Sequence, residues 1–312
     1  MTLLIFLLLA GSLLLYVGAE ILVHGSVALA LRFKVSLLVI GLTLVAFGTS
    51  APELAVNIRG ALEGLGTLSV GNAIGANLLT TGGILGLCVL IKPAPLSSEL
   101  LKRDIPMMVF STFLVLGFTA SHQITRFEGA ILLFFFFLYL AVLYVTTRTG
   151  VFVEKVIIEE SRKISPYALW DITMVIGGII LLLIGSRLLV HGAVTLGKVF
   201  GIQQDIIGLT VVSIGTSLPE LTISIVATLR KRHHITLGTI FGSNIFNLLG
   251  ILGISSLIRP LRLDHSLQPS LLWFLALQLL LYPIFQKKRE ISRSKGAILL
   301  CVYLFFFVTR FI

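Results

Sequence analysis

The sequence predicts an all-α polytopic membrane protein in which ten transmembrane helices form two inverted five-helix repeats. Of the 312 residues, 56% are hydrophobic and only 12% are charged, about half the charged fraction of a typical soluble domain. Apolar runs of roughly 20 residues recur along the chain, and each is long enough to cross a hydrocarbon core about 30 Å thick. The two halves also match each other at a fixed offset. Because the apolar runs are continuous and do not alternate with polar residues, a β-barrel is excluded.

A charged stretch divides the predicted helices into two groups of five. The first repeat covers residues 1–147, the second covers 168–312, and residues 148–167 form a linker. Lys and Arg concentrate in the loops after the odd-numbered helices, which predicts that these loops and the linker are cytoplasmic and that both termini lie outside. The net charge of +10 therefore reflects orientation in the membrane and does not indicate a nucleic-acid partner. The predicted helices are 2–30, 36–62, 68–91, 105–121, 126–147, 168–197, 205–229, 235–258, 268–286 and 295–311.

The two halves align without a gap at an offset of 167 residues. Between positions 41 and 62, 12 of 22 residues are identical to their counterparts in 208–229. Since each copy holds five helices, an odd number, the two copies must run in opposite directions across the bilayer. Inverted repeats of this kind are typical of transporters, which bind their substrate near the midplane of the membrane where the repeats meet.

Each copy contains the motif Gly-Thr-Ser-x-Pro-Glu-Leu, which places Glu53 and Glu220 at equivalent positions. Glu53 lies ten residues before Glu63 and Glu220 lies ten before Arg230, which places each glutamate about 15 Å from the end of its helix. A charge at that depth costs at least about 2.5–3.5 kcal/mol, so it requires polar partners or a bound cation. The duplicated glutamate therefore predicts a cation site inside the membrane.

The residues around each glutamate supply further oxygen atoms. Pro52 and Pro219 have no N–H group, so the carbonyls of Gly48 and Gly215, four residues earlier, lose their helical donor and are predicted to coordinate ions. Such an all-oxygen site favours Ca²⁺ and Na⁺, whereas zinc or copper would call for His or Cys. Hydroxyl groups on the face of each glutamate come from four residues, Thr49, Ser50, Thr216 and Ser217.

A second polar motif follows in each copy, where Gly-x-x-x-Gly precedes Asn77 and Asn244. Such glycine spacing allows helices to approach closely, so Thr80, Ser243 and Asn247 are expected beside the same cavity.

Two further correspondences between the copies lead to weaker expectations. His24 and His191 are expected to form hydrogen bonds between helices, with proton coupling or regulation as the alternative. Glu20 aligns with Arg187, which leaves an ion pair between them open.

The paired motifs resemble the two α-repeats of the calcium/cation antiporter superfamily, which includes the sodium/calcium exchangers. The resemblance covers essentially the whole chain. It implies antiport in which Ca²⁺ and Na⁺ compete for a cluster of four sites, without a cofactor, while two helices slide against a core of eight. By position it also implies ligand roles for these residues: carboxylates from Glu53 and Glu220, carbonyls from Thr49 and Thr216, hydroxyls from Ser50 and Ser217, sodium sites lined by Ala46 and Ser213, and further ligands from Ser243 and Asn247.

The first copy departs from the family pattern at two positions. Ala76 stands where the pattern has Ser, and Thr80 stands where it has Asn or Asp. One hydroxyl of a sodium site is therefore missing and one central oxygen ligand is weaker, so the second copy should be the better-equipped half. Ca²⁺ transport against Na⁺ is the leading hypothesis, and H⁺ or K⁺ stays open as the counter-ion.

Other functional classes remain as alternatives to exchange of Ca²⁺ for Na⁺. One is H⁺/Ca²⁺ or other cation/proton antiport, and another is a non-transporting membrane protein derived from an exchanger. An intramembrane enzyme is not expected, because Ser50 and Ser217 have no histidine placed to activate them and the chain lacks a His-Glu-x-x-His motif. The predicted location is the plasma or inner membrane, with the lipid bilayer and the transported ions as partners and no obligate protein partner.

Overall fold

The computed structural model describes residues 2–149, 168–199, 213–263, 268–286 and 290–311, and most of these residues are helical. The helices are α1 (Thr2–Phe33), α2 (Leu37–Thr49), α3 (Ala51–Glu63), α4 (Gly66–Ile91), α5 (Ile105–Thr119), α6 (Arg126–Thr149), α7 (Ala168–Val199), α8 (Ser213–Thr216), α9 (Leu218–Leu229), α10 (His233–Ile258), α11 (Gln268–Gln286) and α12 (Arg293–Phe311). Four two-residue strands complete it: β1 (Ala94–Pro95), β2 (Gln123–Ile124), β3 (Leu261–Arg262) and β4 (Glu290–Ile291).

The helix bounds follow the predicted spans closely, with two breaks. Within the described residues, α1, α4, α6, α7 and α10 are each long and apolar enough to cross a membrane, and α2 with α3 make a sixth candidate span when they count as one. The predicted helix 36–62 is broken at Ser50 and bends there by 50°, and the predicted helix 205–229 is interrupted at Ser217. Residues 150–167 of the predicted linker and residues 205–212 lie outside the described residues.

The chain forms two compact units that do not follow the two sequence halves. The first unit takes its described residues from 1–50 and 146–239, and the second from 51–145 and 240–312. Each unit therefore contains helices from both repeats. The helix α10 begins in the first unit and ends in the second.

In the first unit, α1 packs against α7 through a symmetric pair of glycine contacts. A methyl group added to Gly11 would lie 2.9 Å from the carbonyl oxygen of Gly185, and one added to Gly18 would lie 2.9 Å from that of Gly178. Gly11 and Gly178 are counterparts at offset 167, as are Gly18 and Gly185. The earlier glycine of α1 contacts the later glycine of α7, and the later glycine of α1 contacts the earlier one of α7. The two helices therefore run antiparallel, as two copies of one helix in an inverted repeat must.

Two ion pairs connect helices in the first unit. Arg32 at the end of α1 contacts Asp171 in the first turn of α7 at 2.7 Å. Glu20 pairs with Arg230, just after α9, at 2.8 Å, so the partner of Glu20 is not Arg187, the residue that aligns with it.

The second unit repeats several contacts at offset 167. The strand pairs match, since Ala94 lies opposite Ile291 and Leu261 lies opposite Ile124. Two arginines at the starts of helices also match: Arg126 donates to the carbonyl of Ile258 at 3.2 Å, and Arg293 donates to that of Ile91 at 3.4 Å. In both copies an arginine thus satisfies carbonyl groups that have no donor within the last turn of a long helix.

Close glycine contacts also come in a matched pair in the second unit. A methyl group added to Gly86 would lie 2.9 Å from the carbonyl oxygen of Gly296, and one added to Gly253 would lie 3.2 Å from that of Gly129. Gly86 corresponds to Gly253 at offset 167, and Gly129 corresponds to Gly296. The internal repeat is therefore present in the packing and not only in the sequence.

Candidate cation-binding residues

The two copies of the glutamate motif break their helices at the same position. Ser50 has φ −82° and ψ 13°, and Ser217 has φ −90° and ψ 9°, whereas a regular helix keeps ψ near −42°. Each break lies two residues before the proline, so the following glutamate falls in the first turn of a new helix, α3 or α9. A helix N-terminus stabilises negative charge, and this geometry therefore favours a carboxylate at Glu53 and at Glu220.

Glu220 in the first unit is buried, with 2% of its surface exposed. The hydroxyl of Ser50 donates to its Oε1 over 2.9 Å. Its other oxygen, Oε2, is also buried and accepts no hydrogen bond from any described residue. A buried carboxylate oxygen without a donor is costly in an apolar environment, so Oε2 is suited to a cation.

The carbonyl of Gly215 has a hydrogen-bond donor that the sequence did not predict. Pro219 cannot donate to it, as expected, but the hydroxyl of Ser186 in α7 does so over 2.7 Å. A lone pair predicted to coordinate an ion is thus engaged by a side chain of another helix. The first copy has Ala19 at the position of Ser186, and alanine cannot donate.

Glu53 lies in the second unit and is 1% exposed. Its backbone carbonyl accepts a hydrogen bond from Asn57 Nδ2 at 2.8 Å. The carbonyl of Asn57 in turn accepts from Ser69 Oγ in α4 at 3.1 Å. Arg59, six residues after Glu53, has a side chain that is 81% exposed and pairs with Glu63 at 2.8 Å, so it extends away from the buried motif.

The first unit repeats this anchor in the second copy of the motif. Thr236 Oγ1 in α10 donates to the carbonyl of Ser224 in α9 over 3.2 Å, and these residues are the counterparts of Ser69 and Asn57. In each copy a hydroxyl of the companion helix therefore holds the helix that carries the glutamate.

A network of buried amide groups joins α4 and α10 in the second unit. Asn247 Nδ2 donates to Asn77 Oδ1 at 2.9 Å, and Asn77 Nδ2 donates to the carbonyl of Asn244 at 3.1 Å. Asn244 Oδ1 accepts from the Thr80 hydroxyl at 2.6 Å, and Asn244 Nδ2 donates to Thr81 Oγ1 at 2.6 Å. Among the three asparagines of this network, only Asn247 leaves its amide oxygen, Oδ1, without a donor from the described residues. Of the three asparagines, Asn247 is therefore the one with a side-chain oxygen available to a cation.

Local helix geometry positions Thr80 and Asn247. Both lie in π-helical segments, Leu79–Ile84 in α4 and Phe246–Ile251 in α10, which correspond at offset 167. Wider turns of this type occur frequently at functional sites. The Asn244 amide also contacts Met108 Sδ at 3.4 Å.

Six predicted site residues remain, namely Thr49, Ser243, Ala46, Ser217, Thr216 and Ser213. Thr49 turns its hydroxyl toward the carbonyls of Val45 and Ala46, at 3.0 and 3.2 Å, which leaves its own carbonyl as the predicted ligand. Ser243 donates to the Ile240 carbonyl at 3.1 Å. Ala46 and Ser217 are buried, which is compatible with their predicted roles. Thr216 is the last residue of α8. Ser213 begins α8, but its side chain lies outside the described part of the chain.

The histidine prediction is wrong for the described residues. His24 and His191 are both exposed, and neither forms the expected hydrogen bond between helices with another described residue.

Two residues of these networks, Ser186 and Thr81, were not predicted from the sequence. Their counterparts are Ala19 and Leu248, so a search for duplicated polar residues could not find them.

The antiparallel glycine contacts, the paired helix breaks and the buried carboxylates define a membrane transporter for cations. The chain belongs to the sodium/calcium exchanger protein family, whose model matches residues 3–145 and 170–312. It is 36% identical over 302 residues to the putative antiporter CaxA of Alkalimonas amylolytica, covering 95% of both chains. It is 32% identical to the inner membrane protein YrbG of Escherichia coli, covering 83% of this chain and 81% of YrbG. The sodium-calcium exchanger NCX_Mj, solved in 10 mM Na⁺ and 10 mM Sr²⁺, superposes with a TM-score of 0.86 at 31% identity, over 99% of both chains.

These matches confirm the predicted fold class and the resemblance. NCX_Mj is a membrane exchanger with ten helices in two repeats, as the sequence predicted for this chain. The family consists of transporters and not enzymes. Its members carry Ca²⁺ and Na⁺ as substrates without a cofactor, so the chain is an integral membrane protein of a cation-exchanger family.

Proposed function

We propose that this protein is a secondary active antiporter that exchanges Ca²⁺ for Na⁺ across the cell membrane by alternating access. The observation that carries the proposal is the buried carboxylate of Glu220, with Oε1 bonded to Ser50 at 2.9 Å and Oε2 left without a donor among the described residues. An ionised carboxylate inside a membrane requires a positive partner. A transported cation supplies that charge at Glu220 and, by the repeat, at Glu53.

The proposed ligands are oxygen atoms, as Ca²⁺ requires. Ca²⁺ takes six to eight oxygen ligands, including carboxylates, carbonyls and amide oxygens. Ser50 retains lone pairs for a cation while its proton is engaged by Glu220. Asn247 Oδ1 adds an amide oxygen that no described residue uses. We assign the ligands as the carboxylates of Glu53 and Glu220, the carbonyls of Thr49 and Thr216, the hydroxyls of Ser50 and Ser217, and the amide oxygen of Asn247.

The charge of the ligand set explains why exchange is coupled. Two carboxylates without a cation would carry two negative charges through the low-dielectric centre of the membrane, which is costly. One Ca²⁺ or two Na⁺ neutralise that charge, so the loaded protein can change its access state while the empty one cannot. Uptake of one ion is then tied to release of the other.

The sodium sites are assigned to Ala46, Ser213 and Ser243, with Thr80 in a reduced role. Thr80 gives its proton to Asn244 Oδ1 at 2.6 Å, and Ala76 has no hydroxyl to offer. These two features favour a second candidate function, exchange of Ca²⁺ for H⁺, in which the two glutamates take up protons in place of Na⁺. Fewer hydroxyl ligands weaken Na⁺ binding but do not affect protonation of a carboxylate.

The membrane arrangement is part of the same proposal. Residues 1–147 and 168–312 are the two repeats, and residues 148–167 are a cytoplasmic linker with both termini outside. The relatives include an inner membrane protein, which supports the plasma or inner membrane as the location. A membrane-impermeant thiol reagent applied to intact cells tests the orientation, since a cysteine placed at Thr2 should react and one placed at Ser161 should not.

Uptake by proteoliposomes tests the proposed exchange. An outward Na⁺ gradient should drive accumulation of radioactive Ca²⁺, and a pH gradient without Na⁺ should not. If only the pH gradient drives uptake, the H⁺ form of the exchanger is correct. If neither gradient drives uptake of Ca²⁺, the proposal is wrong.

A further inference from the structure

A hydroxyl group of α7 contacts the second glutamate motif at its helix break. Ser186 is buried, with 5% of its surface exposed, and its Oγ donates to the carbonyl oxygen of Gly215 over 2.7 Å. Gly215 lies one residue before Thr216 and five before Glu220. The bond therefore fixes the start of the turn that carries the proposed ligands of the second copy.

The proline creates the need for this bond. In an unbroken helix the N–H four residues later would donate to the Gly215 carbonyl, but that residue is Pro219, which has no N–H. A buried carbonyl without a donor is strongly disfavoured. Ser186 replaces the missing helical donor with one from another helix, and it thereby couples the turn to α7.

The same turn is also held by van der Waals packing against Val190 of α7. Val190 lies four residues after Ser186 and so shares its face of α7. A methyl group added to Gly215 would lie 2.3 Å from Val190 Cγ2. Glycine at position 215 thus lets α7 come close enough for Val190 to contact the backbone and for Ser186 to reach the carbonyl.

The first copy has the same glycine and proline but not the hydroxyl. Ala19 and Val23 occupy the positions of Ser186 and Val190. A methyl group added to Gly48 would lie 2.3 Å from Ile179 Cδ1 of α7, so the packing there is apolar. The two ligand turns are therefore held by different interactions, and only the second has a hydroxyl at this position.

We infer that Ser186 is a positioning residue for cation binding, which orients the Thr216 carbonyl, the Ser217 hydroxyl and the Glu220 carboxylate by holding the Gly215 carbonyl. The inference rests on the proposed function, since it assigns Ser186 to the same cation site. A ligand set held in its bound geometry binds more tightly, because less freedom is lost on binding. Ser186 thus raises the affinity of the second copy's ligands for a cation.

The replacements Ser186→Thr and Ser186→Val test this role, because their side chains have nearly the same shape and only threonine keeps the hydroxyl. Thermal unfolding of the purified full-length protein would be measured in detergent over a Ca²⁺ titration, since a ligand that binds the folded state stabilises it. The wild type and Ser186→Thr should reach half of the Ca²⁺-induced shift at the same concentration. Ser186→Val should need roughly two- to tenfold more Ca²⁺, the effect of one hydrogen bond.

The outcomes separate this inference from the proposed function. If Ser186→Val unfolds at a lower temperature without Ca²⁺ but has an unchanged half-saturating Ca²⁺ concentration, the bond is merely structural and the inference is wrong. If the wild type shows no Ca²⁺-dependent shift at all, the proposed function itself fails and this role for Ser186 fails with it. Ser186→Ala introduces no new atoms, so it provides the same comparison should the valine variant not fold.

Discussion

The hydroxyl of Ser50 donates to Glu220 Oε1 over 2.9 Å, so a residue of the first motif holds the carboxylate of the second. Their separation in sequence is 170 residues, and their connection depends on the inverted repeat. The first motif thus contributes to the environment of the glutamate that the second copy supplies.

Ser50→Ala should raise the Ca²⁺ concentration for half-maximal transport by about tenfold or more, since a hydrogen bond to a charged group contributes roughly 1.5–3 kcal/mol. Uptake by proteoliposomes measures this effect. Ser111→Ala is a suitable control, because Ser111 is also buried but donates to the Met107 carbonyl of its own helix. Equal Ca²⁺ dependence of the two variants would contradict the role of Ser50.

Asn247→Ala should reduce Ca²⁺ transport by at least about tenfold, because it removes an oxygen ligand and breaks the hydrogen bond to Asn77, each at a cost of about 1 kcal/mol or more. Gln278→Leu is the control, since Gln278 is a buried amide that donates to Thr112 at 2.8 Å and not to the amide network. Initial uptake rates, normalised to protein in the membrane, distinguish the two variants. Normal transport by Asn247→Ala would show that its amide oxygen is not a ligand.

Gly178→Ala should destabilise the protein by about 1–3 kcal/mol, because the new methyl group would lie 2.8 Å from the Gly18 carbonyl oxygen and overpacking costs this much. Gly177→Ala, one residue earlier in α7, meets nothing within 4 Å among the described residues. It should leave stability unchanged or raise it by up to about 1 kcal/mol, since alanine favours helices over glycine. Thermal unfolding in detergent compares them, and equal destabilisation would contradict the close crossing of α1 and α7.

Asp171→Asn should lower thermal stability more than Glu20→Gln, although each removes one member of an ion pair. The Asp171 side chain is 2% exposed and lies 2.7 Å from Arg32, whereas the pair of Glu20 and Arg230 has exposures of 27% and 58%. Solvent screens the exposed pair, which should contribute about 1 kcal/mol or less. Unfolding temperatures in low and high salt test this order, and a larger loss for Glu20→Gln would contradict it.

The duplicated parts of the site could be predicted from the sequence, because a buried charge and a mid-helix proline have the same meaning in any membrane helix. The burial of Glu53 and Glu220 follows from that, whereas the breaks at Ser50 and Ser217 interrupt two helices that the sequence predicted to be continuous. The single-copy parts could not be predicted. Ser186 engages the carbonyl of Gly215 from another helix, and such a contact depends on how helices pack and not on local sequence.

The expectation for the histidines was wrong for a related reason, and the ion pair left open between Glu20 and Arg187 is not formed. His24 and His191 match at offset 167, but a repeated residue need not face the interior, and both are exposed. Glu20 aligns with Arg187, yet it pairs with Arg230. Alignment within a repeat identifies equivalent positions, and equivalent positions in an inverted repeat need not touch each other.

The central claim is that the two buried glutamates bind Ca²⁺ while the protein exchanges it for another cation. The most direct test is Na⁺-gradient-driven uptake of radioactive Ca²⁺ into proteoliposomes that contain the wild type, Glu53→Gln or Glu220→Gln, with Glu63→Gln as a control outside the motif. The account predicts uptake by the wild type and the control and loss of uptake in both motif variants. Unchanged Ca²⁺ uptake in Glu53→Gln and Glu220→Gln would contradict it.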